Sequence, residues 1–487
     1  MMPKKGDIAQ LEIVDLAFGG DGVAKMKTDE GELAVFVAGC VPGDKVEARL
    51  LKIKKQHVEA RLEKILTPSK ARITPRCKHF ASAQREREDA ASLGLVGPKR
   101  ASPSLKNRCG GCSLQFLSYE DQLKWKQKMV NDSLERIGGF HGIRMEPILG
   151  CESPWFYRNK MEYSFGADAV LGLHPAKNYK EVFDLEECFL QSPRSVEIAL
   201  AVEKWGQKNR LSGFDPRSGE GLLKNLVIRE GKNTNEIMVN LVTAAEDFPP
   251  EKDFAEFLRK AFPDITSCYR TAVTVRRGFR TAVKEFLLFG KPALSETLTV
   301  QNITLKFEIY PQAFFQPNTK QAEILYGKIV EFAEPKAENS MFDLFCGTGT
   351  IGMFFAKLGC QVTGIELNKD AIENAHANAR INGIENIEFL CGDINKEQPM
   401  AALFDKKRSH PLALITDPPR AGIAQKSLEK IIALKIPKWI YVSCNPTTLA
   451  RDLKIICETG GYKIEKIQPV DMFPHTYHVE TVVRLTK

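Results

Sequence analysis

From about residue 320 the chain becomes a regular alternation of short apolar runs and helical segments, and this feature limits the fold more than any other. MFDLFC, QVTGIEL, IEFLCGD, LALITDPP and WIYVSC read as strands, with helical spacing between them. YKIEKIQPV and VETVVRLTK then follow as two consecutive strands. Short apolar strands separated by helices form a doubly wound parallel sheet, so the expected fold is a Rossmann-like α/β sheet of seven strands. Such sheets bind ligands at the carboxyl ends of their strands. The residues that close each strand are therefore the candidates for chemistry.

The first strand runs into Asp343-Leu344-Phe345-Cys346-Gly347-Thr348-Gly349-Thr350-Ile351-Gly352, a G-x-G-x-x-G turn between strand and helix. Glycine lets the backbone turn tightly and approach a ligand closely. Glu366 closes the second strand about 20 residues later, where an acid can accept from both ribose hydroxyls. A nicotinamide dinucleotide and S-adenosylmethionine both fit these two features. Three details favour S-adenosylmethionine. Asp393 closes the third strand, within reach of an adenine. The fourth ends in the rigid turn Asp417-Pro418-Pro419-Arg420, unlike a dehydrogenase. Two consecutive strands end the sheet, as in nucleic-acid methyltransferases of this fold.

The fifth strand ends in Ser443-Cys444-Asn445-Pro446-Thr447-Thr448-Leu449-Ala450-Arg451-Asp452. Cys444 lies at a strand end, and Pro446 suits the first turn of the next helix. The amides that follow are expected to favour a thiolate, below the ordinary thiol value of about 8.5. A thiolate that adds to carbon 6 of uracil makes carbon 5 nucleophilic toward a methyl sulfonium. A base must then remove the carbon 5 proton so that the cysteine can leave. Glu480, opening the last strand in HVET, is the candidate base. Gln316 in FFQPN and Asp417 are candidates for hydrogen bonds to uracil or cofactor.

The remaining chain reads as further units, as its 487 residues suggest. Residues 6–67 carry about five short strands with glycine turns, an OB-like barrel of a kind that often binds nucleic acid. Residues 81–108 read as an exposed insertion, 118–137 as a helix ending at Gly138-Gly139, and 154–310 as a mixed sheet with helices near 195–208 and 251–261. Net charge is +8. Basic residues concentrate in three runs: Arg49, Lys52, Lys54, Lys55, Arg61 and Lys64; Lys99, Arg100, Lys106 and Arg108; and Lys124, Lys126 and Lys128. These are compatible with a polyanionic partner and equally with solvated faces. The opening MMPKKGDIAQ lacks an apolar leader core, and no apolar run is long enough to span a membrane, so a cytoplasmic location is expected. Cys40, Cys151, Cys268, Cys360, Cys391 and Cys457 read as packing residues. Cys77, Cys109, Cys112 and Cys188 have spacings that suit four-thiolate metal sites, either an iron–sulfur cluster or structural zinc.

Together FFQPN, DLFCGTG, DPPR, SCNPTTLARD and HVET, in this order, resemble the RNA uracil-5 methyltransferases of the class I fold. The resemblance covers nearly the whole chain. It implies Cys444 as nucleophile and Glu480 as proton acceptor. It implies Gln316, Phe345, Glu366 and Asp417 at the cofactor, along with Asp393 and the turn glycines Gly347 and Gly349. Residues 6–67 are similar to a TRAM domain, as in the branch acting on 23S ribosomal RNA, and RNKMEY at 158–163 is similar to the family's central signature. The resemblance favours a structural 4Fe–4S cluster on Cys77, Cys109, Cys112 and Cys188. Relatives place the first cysteine only a few residues before CGGC, whereas here 31 residues separate Cys77 from Cys109. An insertion whose ends meet accounts for this, since added loop length costs little.

The implied organisation is a TRAM-like domain at 1–67, a central mixed α+β iron–sulfur domain at 68–117 and 148–305, and a methyltransferase domain at 118–147 and 306–487. The implied substrate is 23S ribosomal RNA ahead of transfer RNA, with a monomeric enzyme. Other readings fit less well. An RNA cytosine-5 methyltransferase usually carries a proline-cysteine pair after the fourth strand, and DPPR has none. An adenine-N6 enzyme needs an aromatic residue after Asp-Pro-Pro. A non-catalytic RNA-binding or assembly factor would not need Cys444, Glu480 and Gln316 together.

Overall fold

The computed structural model describes residues 3–29, 31–80, 108–176, 178–215, 217–274, 281–337, 339–396, 401, 403 and 413–487. Of the insertion expected at 81–108, only Arg108 is among them. Near the start, β1 (Ile8–Leu16), β2 (Gly22–Thr28), β3 (Gly31–Val37), β4 (Lys45–Ile53) and β5 (His57–Thr67) close into a barrel in the order β1-β2-β3-β5-β4. Alternation drives closure: Val46, Ala48 and Leu50 of β4 are buried with Val35, Val37 and Val58, while Lys45 and Lys52 face outward. The basic residues here are largely neutralised on the barrel itself. Arg49 and Arg61 share Glu63 at 2.9 and 2.8 Å, and Lys52 and Lys54 share Glu59 at 3.2 and 3.1 Å.

Helix α1 (Tyr119–Ser133) is capped by Ser118, whose Oγ accepts the Asp121 N–H. A π-helical turn, Leu134–Gly138, continues it until Gly139 adopts the left-handed conformation. The third basic run lies on this helix, and its three lysines all pair with carboxylates. Lys124 pairs with Asp121, Lys128 pairs with Asp15 and Asp132, and Lys126 is fully buried against Asp471 at 2.6 Å.

A second sheet comprises β6 (Lys160–Phe165), β7 (Leu171–Leu173), β8 (Phe183–Asp184), β9 (Leu223–Glu230), β10 (Ile237–Thr243), β11 (Ser267–Thr274) and β12 (Ala282–Gly290), in the order β12-β11-β10-β9-β6-β7-β8. Helices α2 (Pro193–Lys208) and α3 (Glu251–Ala261) share its core through Val202, Trp205, Phe254 and Leu258. A hairpin of β13 (Leu294–Val300) and β14 (Ile303–Ile309) follows.

The third sheet carries the strand-end motifs. Its strands are β15 (Ser340–Leu344), β16 (Gln361–Glu366), β17 (Ile387–Cys391), β18 (Ala413–Thr416), β19 (Lys438–Ser443), β20 (Lys463–Val470) and β21 (Glu480–Thr486). The order is β17-β16-β15-β18-β19-β21-β20, parallel except for β21, which runs antiparallel to both its neighbours. Two layers cover it. On one face lie α4 (Thr319–Ala333), α5 (Thr350–Lys357), α6 (Lys369–Ile381) and the β13–β14 hairpin; on the other lie α1, α7 (Gln425–Ala433) and α8 (Pro446–Gly460). Strand β19 shows the alternation: Trp439 and Tyr441 join the second layer, Ile440 and Val442 the first. The hairpin packs on α4 and α6, so the boundary expected at 305/306 falls inside a strand that belongs by packing with the third sheet. No helix among the described residues is long and apolar enough to cross a membrane.

Candidate active site

Strand β15 leads into Phe345, which holds φ at 64°, a conformation that costs a non-glycine residue energy and clusters at functional sites. The glycines that follow do three different jobs. Gly347 sits at φ 55° with open space where a side chain would project, so the backbone is exposed to whatever occupies that space. At Gly349, with φ 74°, a Cβ would come within 2.5 Å of the Phe389 ring. At Gly352 a Cβ would crowd Val362 and Ile387, so this glycine lets α5 settle on the sheet. Glu366 is fixed through both oxygens, accepting from Gly347 N–H (3.2 Å) and Asn368 N–H (2.9 Å). Asp393 is half-buried and accepts twice from Asn395, bonds that hold its carboxyl below the usual range. Gln316 lies near the hydroxyl of buried Tyr326 and opposes the burial that raises it.

The other half of the site follows from strand register. Ser443 of β19 pairs with Thr481 of β21 at the end of an antiparallel ladder, and Cys444 and Glu480, directly beyond that pair, lie close enough for Glu480 to raise the Cys444 thiol. Asp417 closes β18 on the opposite side of β19. The SCNPTTLARD and DPPR strings are tied together directly. Asn445 Nδ2 and Thr448 Oγ1 both donate to Arg420 O, at 3.0 and 3.2 Å. Buried Asp452 accepts from Tyr441 Oη (2.6 Å) and Ile423 N–H (2.8 Å), while Arg451 donates to Ala421 O. Most of those residues therefore hold two loops in register rather than reaching into the pocket.

Electrostatically the pocket is acidic. Burial raises Asp417. Burial and then Asp417 raise Glu480, with Arg420 opposing. Asp343, beneath Gly352, is pushed up to about 7 by burial and Asp417, although it accepts the Gly352 N–H at 3.1 Å. Cys444 does not have the depressed pKa expected from its place before a helix. Burial, Glu480 and Asp417 push it up to about 12, with Arg420 the opposing charge. Asn445 Oδ1 accepts the Thr447 N–H, so the first turn's donors are partly satisfied locally. A pocket lined by carboxylates suits a cationic ligand such as a sulfonium.

Cys77, Cys109, Cys112 and Cys188 line one enclosed cavity with His79, Phe80 and Gln115. The ends of the insertion meet here: Cys109 N–H donates to His79 O at 3.0 Å, and the Arg108 guanidinium lies 4.4 Å over the Phe80 ring. Among the described residues no three His, Cys, Asp or Glu side chains form a group that could hold a metal ion. One zinc needs all four sulfurs about 2.3 Å from a single point, and these thiols are not so gathered. They do feel one another: Cys109 and Cys112 are each raised by burial and by the other thiols of the set. Arg108 Nε and Nη1 are buried without partners, and its charge acts on Cys112 and Cys109.

Sequence reasoning missed Asp343, Tyr326 and Arg420 as site residues. Arg420 lies exposed, with Nη2 3.4 Å from His478 Nε2. Asp343 had a legible signal, an ionisable residue inside an otherwise apolar strand beside the glycine turn. Tyr326, on the buried face of α4, had none.

Known proteins resemble this chain over nearly its whole length. The family model for tRNA (uracil-5-)-methyltransferases matches residues 273–487. An RNA methyltransferase of Halalkalibacterium halodurans is 34% identical over 99% of this chain and 97% of its own length. One from Clostridium tetani is 32% identical over 99% and 97%. Among solved structures, the tRNA (uracil-54, C5)-methyltransferase of Pyrococcus abyssi, in complex with S-adenosyl-L-homocysteine, superposes with a TM-score of 0.72 at 26% identity. That likeness covers 98% of this chain and 100% of that one.

Proposed function

The chain belongs to the RNA uracil-5 methyltransferases, which depend on S-adenosylmethionine, and we propose that it methylates one uridine of 23S ribosomal RNA through a covalent adduct on Cys444. The observation that carries this reading is that the β19–β21 ladder, ending at the Ser443–Thr481 pair, leaves Cys444 within the field of Glu480 and of Asp417 across β19. Bound S-adenosylmethionine supplies an electrophilic methyl group. Glu366, Asp393, Gln316, Phe345, Gly347, Gly349 and Asp417 are assigned to holding it. The carboxylates complement its positive sulfur, and the open face of Gly347 leaves room for it.

Cys444 Sγ adds to carbon 6 of the uracil, and carbon 5 takes the methyl group. Glu480 then accepts the carbon 5 proton, the 5,6 double bond re-forms, and the Cys444 thiolate leaves. Arg420 offsets the negative charge of Cys444 and Glu480 as these steps proceed. Access to the ring requires the nucleotide to be turned out of its stack. The barrel at 6–67 is assigned to RNA binding as a TRAM-like domain. The four cavity thiols are assigned to a structural 4Fe–4S cluster, with Arg108 as its countercharge. Iron and sulfide analysis of anaerobically purified protein tests that assignment, and protein lacking both would refute it.

Transfer RNA is a second reading, favoured by the P. abyssi likeness. That likeness spans the barrel as well as the catalytic sheet, so the barrel does not itself select ribosomal RNA. Incubation with S-adenosylmethionine and 5-fluorouridine-substituted RNA tests both readings, because fluorine cannot leave as a proton does. A denaturation-stable adduct with 23S ribosomal RNA, lost in Cys444→Ser, is expected. An adduct with transfer RNA alone would replace the substrate. No adduct with either, despite cofactor binding, would remove Cys444 as nucleophile.

A further inference from the structure

The segment between β20 and β21 delivers Glu480 to the site, and it is held far more firmly than a connection requires. At its start, buried Asp471 accepts from Lys126 Nζ (2.6 Å), Tyr119 Oη (2.9 Å) and Phe473 N–H (3.2 Å). Lys126 also donates to Phe473 O, and Tyr157 Oη donates to Pro474 O. The centre is His475. It is buried, holds φ at 66°, and stacks on the Trp155 ring with centroids 3.5 Å apart and planes 20° from parallel. Its N–H donates to Gln122 Oε1 at 2.9 Å, and Gln122 Nε2 lies 3.2 Å from its Nδ1. Its carbonyl accepts from both Ser113 N–H (2.9 Å) and Leu114 N–H (3.0 Å), the residues directly after Cys112.

A non-glycine residue in the left-handed region persists only where its surroundings over-determine it. Here α1, the strip after Cys112 and Trp155 all converge on one residue, five positions before Glu480. None of these groups reaches the pocket. We infer that His475 is a positioning residue for Glu480: it fixes the path of 476–479 and so sets where the base meets the carbon 5 proton. The inference rests on the proposed function, because it concerns the step in which Glu480 takes that proton and the Cys444–carbon 6 bond breaks. Methyl transfer comes earlier and does not use Glu480. A displaced Glu480 therefore leaves a methylated RNA still bonded to Cys444.

The test compares Gln122→Met, His475→Ala and His475→Asn in the full chain, on ordinary RNA with methyl-labelled S-adenosylmethionine. Asparagine tolerates the left-handed conformation that alanine resists. For Gln122→Met and His475→Ala the expected result is near-unchanged KM, kcat lowered about 10- to 100-fold, and a labelled protein–RNA adduct that wild type does not accumulate. His475→Asn should recover much of the turnover. Gln122→Met keeps residue 475 and removes only the side-chain bonds to His475 and Leu117 O, so it carries the test if His475→Ala does not fold. Unchanged kcat in Gln122→Met, or a fall without adduct, overturns the inference. A wild type that forms no adduct with fluorouridine RNA overturns the functional reading beneath it, which is a separate outcome.

Discussion

Ser443 and Thr481 form the last pair of the β19–β21 ladder and set Glu480 close enough to Cys444 to raise its thiol, while Asp417, on the other side of β19, adds to the burial that raises the Glu480 carboxyl. A base must be ionised to accept a proton. Turnover should therefore rise with pH through a range well above that of an ordinary glutamate. Release of tritium from carbon 5 of labelled RNA, followed from pH 5 to 9, measures this. Arg420 opposes the shift, so Arg420→Ala should move the rising limb to higher pH. A limb below pH 5 in the wild type would exclude Glu480 as the group observed.

The same shift has a stability consequence of defined sign. A carboxyl whose folded pKa is raised holds its proton more tightly when folded than unfolded. Its ionisation therefore costs stability as pH rises from the unfolded value of about 4.3 through the folded one. Glu480→Gln removes that cost. The variant should lose turnover yet melt a few degrees higher than wild type at pH 8, with a smaller gain at pH 5. Equal gains at both pH values would show that the effect is not electrostatic.

Much of the third sheet was legible because parallel strands buried on both faces read as short apolar runs, and their ends carry the polar residues. Gly347, Glu366, Asp417, Cys444 and Glu480 all stood out at strand ends for that reason. What the sequence hid was long-range. The acidity of Cys444 is set first by its burial and then by Glu480, brought alongside by β21, rather than by the helix that follows it. Lys126 has the same origin. Its spacing lay on the apolar stripe of α1, but its charge placed it in a surface run, and its partner Asp471 is 345 residues away. Basic runs counted along the chain did not reveal Glu59, Glu63 or Asp15, each supplied by a neighbouring strand or helix.

That buried pair makes a prediction of its own. Lys126→Met leaves Asp471 without its cation in a site with no exposure, and breaking such a pair from one side costs about 3–5 kcal/mol. Replacing both, as Lys126→Met with Asp471→Asn, should cost less than Lys126→Met alone. Urea melts of the wild type, the two single variants and the double variant read this, and additive costs would mean the two charges do not interact.

The glycines of the turn should separate by mechanism. Gly349→Ala drives a Cβ into the Phe389 ring at 2.5 Å and strains the backbone, so it should abolish cofactor binding or folding. Gly347→Ala meets no protein atom. It should fold with about 1 kcal/mol of backbone strain and lose affinity because the new methyl projects into ligand space. Calorimetric titration with S-adenosylhomocysteine, alongside melting curves, distinguishes the two. Equal behaviour would mean that Gly347 does not line the cofactor pocket.

Cys444 should be inert until the cofactor arrives. In the free protein burial, Glu480 and Asp417 push its thiol up to about 12, so almost none is thiolate near neutrality. S-adenosylmethionine brings a positive sulfur into the same pocket, and a unit charge several ångströms away at an effective dielectric near 20 shifts a pKa by about one unit or more. S-adenosylhomocysteine fills the same space without that charge, so steric protection cancels in the comparison. Alkylation of Cys444 by iodoacetamide at pH 8, read by mass spectrometry of its peptide, should be on the order of tenfold faster with S-adenosylmethionine than with S-adenosylhomocysteine. Arg420→Ala should slow Cys444 in both complexes, because it removes the guanidinium that favours the thiolate. Identical rates in the two complexes would mean that the methyl donor does not activate the nucleophile, and that activation must come from the RNA.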